Sequence, residues 1–158
     1  MEKAKLAVVR VKGDVGASSD VRMTFKLLRL YKKNYCIVLT LRPEVVGMVQ
    51  KIKDFVTFGE LDKDTFVKLL KVRGKIAGNR QLTEDYLKSK ANLDLAKFAD
   101  EVFDAKKDLK DVPGLKPFFR LKPPTGGFER LGIKHSYAQG GSLGYRGKDI
   151  NKLIGRMI

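Results

Sequence analysis

An α+β fold is the expectation for this chain. It comprises a β-α-β-α-β core over residues 1–60, a helical insertion over 61–112, and a strand, glycine-rich basic loop and terminal helix over 113–158, all in one compact unit. Three observations predict it. Up to residue 60, short β-branched runs alternate with stripes of helical period, and the middle third keeps the helical stripes only. The net charge of +15 divides unevenly, as +6, +2 and +7 over those three segments. Residues 126–147 include seven glycines and follow no period of 2 or 3.6. At 43% hydrophobic over 158 residues, the chain can hide roughly two thirds of its unfolded surface.

The elements follow in order. Leu6 to Val11 reads as a strand, closed by a Gly13-Asp14-Val15-Gly16 turn. Ser18, Ser19 and Asp20 offer an N-cap for a helix reaching about Tyr31. Its apolar face holds Val21, Phe25 and Leu28, widened by Met23, Leu27 and Leu30. Arg22, Lys26, Arg29 and Lys33 form a basic stripe opposite, with no acid interleaved as ion-paired helix surface would have. Tyr35 to Leu41 is a nearly continuous apolar run, as in a strand buried on both faces. Arg42-Pro43 ends it, and a helix from Glu44 to Ile52 turns Val45, Val46, Met48, Val49 and Ile52 inward. Phe55 to Phe58 is a third strand. Two right-handed crossovers, with both helices on one face, satisfy this order.

In the insertion, Asp62 or Asp64 caps a helix through Val72, and Gly74 stands at its C′ position. Arg73, Lys75 and Arg80 fall in the loop that follows. Thr83 begins a short helix, and Asn92 caps a longer one through about Phe103, with Leu95, Phe98 and Val102 on one face. Pro113 and Pro117 bracket a turn before a strand from Phe118 to Lys122. Phe118 and Phe119 could supply a stacking platform, but only one of two successive strand residues can face out, and an inward, packing role is the alternative. Asp149 to Met157 closes the chain as a short helix.

The glycine-rich segment carries Arg130, Lys134, His135, Tyr137, Tyr145 and Arg146, with Glu129 its one acid. Glycine backbone approaches another surface closely, while cations and rings reach phosphates and bases. Such a segment needs an anionic partner to hold its shape, so it should be mobile in the free protein.

Catalytic and cofactor patterns fail on inspection. Gly140-Gly141-Ser142-Leu143-Gly144 matches a nucleophile elbow in letters, but its flanks are loop and the one histidine, His135, lies upstream. Gly147-Lys148 lacks the first glycine and the Ser or Thr of a phosphate-binding loop. Gly13 and Gly16 have the wrong spacing for a dinucleotide fingerprint. One His and one Cys make no common zinc site, and no catalytic group, metal or cofactor is expected. Cys36 reads as a small core residue of a reducing compartment. Arg10 and Lys12 interrupt the first apolar run, so no secretion signal is expected, and no run reaches membrane-span length. A soluble intracellular protein with a polyanion partner follows.

Residues 6–60 closely resemble the large-subunit ribosomal protein family numbered thirty in bacteria and seven in eukaryotes. The resemblance rests on Gly16, Thr24-Phe25-Lys26, Leu28, Leu30, Pro43, Gly47-Met48 and Phe55-Val56 at the family's spacings. The bacterial form stops near residue 60. This chain continues, as archaeal and eukaryotic forms do, to Ile150-Asn151-Lys152-Leu153-Ile154, without the basic N-terminal arm of the eukaryotic ones. It is most similar to the archaeal version. It departs at Gly13, where bacterial members usually have serine.

The resemblance implies a ferredoxin-like core, no enzymatic activity, and a place in the large ribosomal subunit. The implied partners are 23S rRNA, 5S rRNA nearby and neighbouring ribosomal proteins, with no membrane and no small-molecule substrate. The residues expected to meet RNA are Lys12, Arg22, Lys26, Arg29, Arg42, Arg73, Lys75, Arg80, Arg120 and Lys122. In the glycine-rich segment they are Arg130, Lys134, His135, Tyr137, Tyr145, Arg146 and Lys148. An RNA-modifying enzyme or nuclease would need a metal or cofactor site that the residues do not offer. A DNA-architectural protein would need a helix-turn-helix, zinc finger or dimerising seam.

Overall fold

A computed structural model describes residues 4–158. Its central sheet is built from β1 (Lys5–Arg10), β2 (Tyr35–Thr40), β3 (Val56–Glu60) and two short strands, β4 (Phe119–Arg120) and β5 (Gly144–Tyr145). The order across the sheet is β4-β2-β1-β3-β5. β1 is antiparallel to both its neighbours, with Leu6 opposite Leu39 on one side and Glu60 on the other. β2 and β3 therefore run parallel with β1 between them. One connection crosses over, where two were expected. This is the split arrangement of a ferredoxin-like core.

The pleat sends alternate residues of β1 into two separate cores. Leu6 and Val8 face α1 (Ser19–Leu27) and α2 (Pro43–Lys51), packing with Phe25, Leu28, Val49 and Ile52. Ala7 and Val9 face the opposite layer, which contains Phe66, Leu69, Phe98 and Ile154. That layer is made of α3 (Lys63–Arg73), α4 (Glu84–Ala91), α5 (Leu95–Phe103) and α6 (Ile150–Met157). The insertion thus covers the sheet face that α1 and α2 leave open. Cys36 lies in one core and Ile37 in the other, as a strand covered on both faces requires.

Several elements differ from expectation. α1 starts as expected, with the Ser18 hydroxyl accepting from the Val21 amide, but it ends at Leu27 and does not reach Tyr31. Arg29 adopts a left-handed φ of 59°, which turns the chain out of the helix. Met23 and Leu27 are accordingly 57% and 67% exposed and do not widen the apolar face. Val46 is exposed as well.

Asn92 does not begin α5. It ends α4 in the left-handed conformation, and Asp94 precedes α5. Gly74 ends α3 with an extended φ of −60°, so no left-handed turn calls for glycine there. A Cβ would lie 2.4 Å from the Leu70 carbonyl, and that contact excludes a side chain. The strand expected over 118–122 shrinks to Phe119–Arg120. Within residues 126–147, where neither helix nor ordinary strand was expected, lie two 3-10 turns and β5, which pairs in parallel with β3. The paired residues are Thr57 with Gly144 and Phe58 with Tyr145.

Candidate nucleic-acid interface

The expected RNA-facing residues lie on the two outer edges of the sheet and on the α1–α2 layer, not in one cluster. Arg22 and Lys26 project from α1, while Arg29 and Lys33 lie beyond its end, so the expected four-residue stripe is a helical pair followed by a turn. Arg42 stands just before Pro43 at the start of α2 and is exposed. Lys12 is half-buried, with its ammonium 5.9 Å from the Phe55 ring centre. Arg73 is the last residue of α3 and does not lie in the loop; it is half-buried, and its Nε has no hydrogen-bond partner.

At the β4 edge, Arg120 donates from Nη1 to Asn79 Oδ1 (3.3 Å), which draws β4 to the loop that carries Lys75 and Arg80. Phe119 is fully buried, and Phe118 stacks on Tyr35 with ring centres 5.3 Å apart and planes 8° from parallel. Tyr31 meets Phe118 edge-on, and the Arg120 guanidinium lies 5.8 Å from the Tyr35 ring centre. Tyr31 and Arg120 are exposed, whereas Tyr35 and Phe118 are half-buried against the α1–α2 core, and this group was legible only as the Phe118–Phe119 alternative. Lys122, next along the chain, is exposed, and its amide donates to the Met157 carbonyl.

Four strand spacings away, roughly 19 Å, the glycine-rich segment lies along the β5 edge. Arg130, Lys134, His135, Tyr145 and Lys148 are exposed there, and the Tyr145 hydroxyl is bonded to Glu60 (3.1 Å). Tyr137 is half-buried and donates to Asp149 Oδ2 (2.7 Å).

Arg146 is the clear correction. It is 4% exposed, with its guanidinium turned to partners inside the protein and not to solvent. Its Nε donates to Thr57 Oγ1 (2.7 Å), Nη1 to Glu129 Oε1 (2.8 Å) and Nη2 to the Ser142 carbonyl (2.9 Å). The guanidinium also lies 4.7 Å from the Tyr137 ring centre. Glu129 takes a further hydrogen bond from the Ser142 hydroxyl (2.7 Å). Burial alone would raise the Glu129 carboxyl, but the hydrogen bonds from Arg146 and Ser142 together hold it below its ordinary value.

The anion that shapes this segment is therefore its own acid. The segment is pinned to β3 from within, contrary to the expectation that it waits for a partner to order it. At its tightest point a Cβ on Gly141 would lie 2.1 Å from the His135 carbonyl, so no other residue fits. The lone acid of a basic run was the sequence signal for this staple.

A second buried guanidinium was not foreseen. Arg10 is 2% exposed, donates to the carbonyls of Lys12 and Leu30 and to Asp14, and lies 3.9 Å from the Phe25 ring centre. Both buried arginines are internal fasteners.

The remaining cations show where the excess charge is free. The insertion pairs its own charges: Lys63 with Asp100, Lys88 with Asp94, Lys106 with Asp104 and Lys107 with Glu101. Among the described residues, none of the expected RNA-facing cations except Arg146 has an ion-pair partner. Among the described residues no group of three or more His, Cys, Asp and Glu side chains is placed to hold a metal ion. No helix of the described residues is long and apolar enough to cross a membrane.

Comparison with known proteins agrees along nearly the whole chain. The family model described as ribosomal protein L30p/L7e matches residues 6–56. A Methanopyrus kandleri protein named large ribosomal subunit protein uL30 is 47% identical over 149 residues, which is 94% of this chain and 100% of that protein. Proteins of the same name from Methanococcus vannielii and Nanoarchaeum equitans are 45% and 43% identical, covering 96% and 98% of this chain and 98% and 99% of their own lengths.

Proposed function

The chain belongs to the family of ribosomal protein L30p/L7e, and we propose that it binds 23S rRNA in the large ribosomal subunit, close to 5S rRNA. The family's role is structural, not enzymatic. In this role the protein supports rRNA folding and subunit assembly beside neighbouring ribosomal proteins.

One observation carries the reading. The nearly neutral insertion pairs several of its charges internally. Among the described residues, by contrast, the basic ends leave every expected RNA-facing cation except Arg146 without an ion-pair partner, although Arg10, Lys152 and Arg156 are paired there. Unpaired surface cations self-repel, and a phosphate backbone relieves that repulsion while releasing its counterions. The basic α1–α2 layer, the Arg120–Arg80 edge and the β5-edge cations are the surfaces proposed to meet RNA. The last of these comprises Arg130, Lys134 and Lys148. Their spread along both sheet edges suits a protein set between rRNA segments better than one gripping a single duplex.

The test is binding of 23S rRNA across a salt series by the wild type and by the Arg130→Ala, Lys134→Ala, Lys148→Ala triple variant. Three lost phosphate contacts should shrink the log–log slope by roughly two units. An unchanged slope would remove the β5 edge from the interface.

A further inference from the structure

A cleft of about 270 Å³ opens between the end of α1, the start of α2, the outer edge of β2 and residues 108–117. Leu27, Val45, Met48 and Pro117 give it an apolar wall, and Arg29, Arg42 and Lys110 also line it. Asp108 is its one acid, and that carboxylate is taken up in capping the turn Leu109–Asp111. The cleft is therefore lined by apolar side chains and by three cations with one acid. β4 pairs only with Tyr35 and Cys36, so from Ile37 to Thr40 the outer edge of β2 carries no strand among the described residues. Backbone donors and acceptors thus border the same space.

Arg29 adds an independent sign. The Leu30 amide bonds to the Phe25 carbonyl (2.9 Å) and the Arg29 amide to the Lys26 carbonyl (3.1 Å), the pattern of a Schellman closure. In that closure Arg29 occupies the left-handed position that glycine fills with least strain, at a φ of 59°. A long cationic side chain sits there against backbone preference, and it lines the cleft. Strained positions of this kind gather at ligand clamps.

We propose that this cleft receives one unpaired nucleobase of rRNA, with its flanking phosphates on Arg29, Arg42 and Lys110. The proposal rests on the rRNA-binding reading above and names a subsite within it. Proteins recognise RNA largely through bases splayed out of the stack, and an arginine plane stacks on a base as an aromatic ring does. At about 270 Å³ the cavity has room for a single base. Three cations against one committed acid favour a nucleotide over a peptide added to the β2 edge.

The experiment measures binding of protein-free 23S rRNA by the full chain across a salt series, with two variants. Leu27→Trp fills the cleft from a position 67% exposed and leaves the charge unchanged. It should weaken binding roughly five- to a hundredfold at an unaltered salt slope, as expected for one lost stacked base. Arg29→Gly should melt no lower than the wild type and shrink the slope by roughly 0.7–0.9, one phosphate contact. If both variants bind as the wild type does, the nucleobase site is overturned and the wider rRNA reading stands. If the wild type itself fails to bind 23S rRNA, both fall. Impaired entry into large subunits with unchanged affinity for protein-free rRNA would identify a protein occupant and overturn the proposal.

Discussion

Arg146→Ala separates an internal fastener from an RNA contact. The substitution removes donors to Thr57, Glu129 and the Ser142 carbonyl and leaves a carboxylate without its main partner. Breaking a buried ion pair costs about 3–5 kcal/mol. Glu129 keeps 22% of its side chain exposed and has Arg156 3.6 Å away as a second cation, which places the cost near the lower limit, about 3 kcal/mol. For a domain of this size that lowers the melting temperature by roughly 6–12 °C. The loss should be concentrated in residues 126–147, whose amide-exchange protection falls first. Arg146→Lys should recover less than half, because an ammonium cannot reach three acceptors in the fixed fork of a guanidinium. Unchanged melting and unchanged exchange would refute the staple. A salt slope for rRNA binding reduced by about one unit, with stability intact, would instead make Arg146 a phosphate ligand.

The acid dependence of the same segment has a definite sign. The folded-state value of Glu129 lies below its ordinary 4.5, so its stabilising contribution is complete above about pH 4.5 and is lost as pH falls through the lowered value. Exchange in residues 126–147 should therefore accelerate below pH 4.5 relative to the core, and Glu129→Gln should abolish that dependence; a variant that keeps it would disprove the assignment. Burial pushes the Cys36 thiol up to about 12, so a thiol-alkylating reagent at pH 8 should leave the folded protein unmodified, and rapid labelling would contradict its place in the core. Arg10→Ala strips hydrogen bonds from two backbone carbonyls and should cost about 3 kcal/mol in a denaturant titration; a loss under about 1 kcal/mol would make the buried guanidinium dispensable.

The features legible in the sequence were those with local causes. Ser18, Thr83 and the Arg42-Pro43 step mark helix starts because caps and prolines act on their own neighbours. The early end of α1 was hidden, since its left-handed closing residue is arginine and no glycine announces it. Asn92 misled for a related reason: asparagine serves as an N-cap and also tolerates the left-handed conformation of a helix end. The single crossover was out of reach because alternation along a strand says which face is buried, not which strand lies beside it. Arg146 is the instructive case at the site. Its charge was visible, but its role depends on Glu129 being folded back from 17 residues away, and residue type alone does not distinguish the two fates of an arginine.

The pairing of β5 with β3 also bears on the order in which the molecule can be completed during synthesis. Thr57 donates to the Gly144 carbonyl across 87 residues of chain, so the outer edge of β3 stays open until Gly144 has left the exit tunnel. Contacts of such long separation form late. Until they do, the nascent core presents a bare strand edge, a template for mispairing between chains. A segment made 87 residues after β3 is thus the one that covers its outer edge.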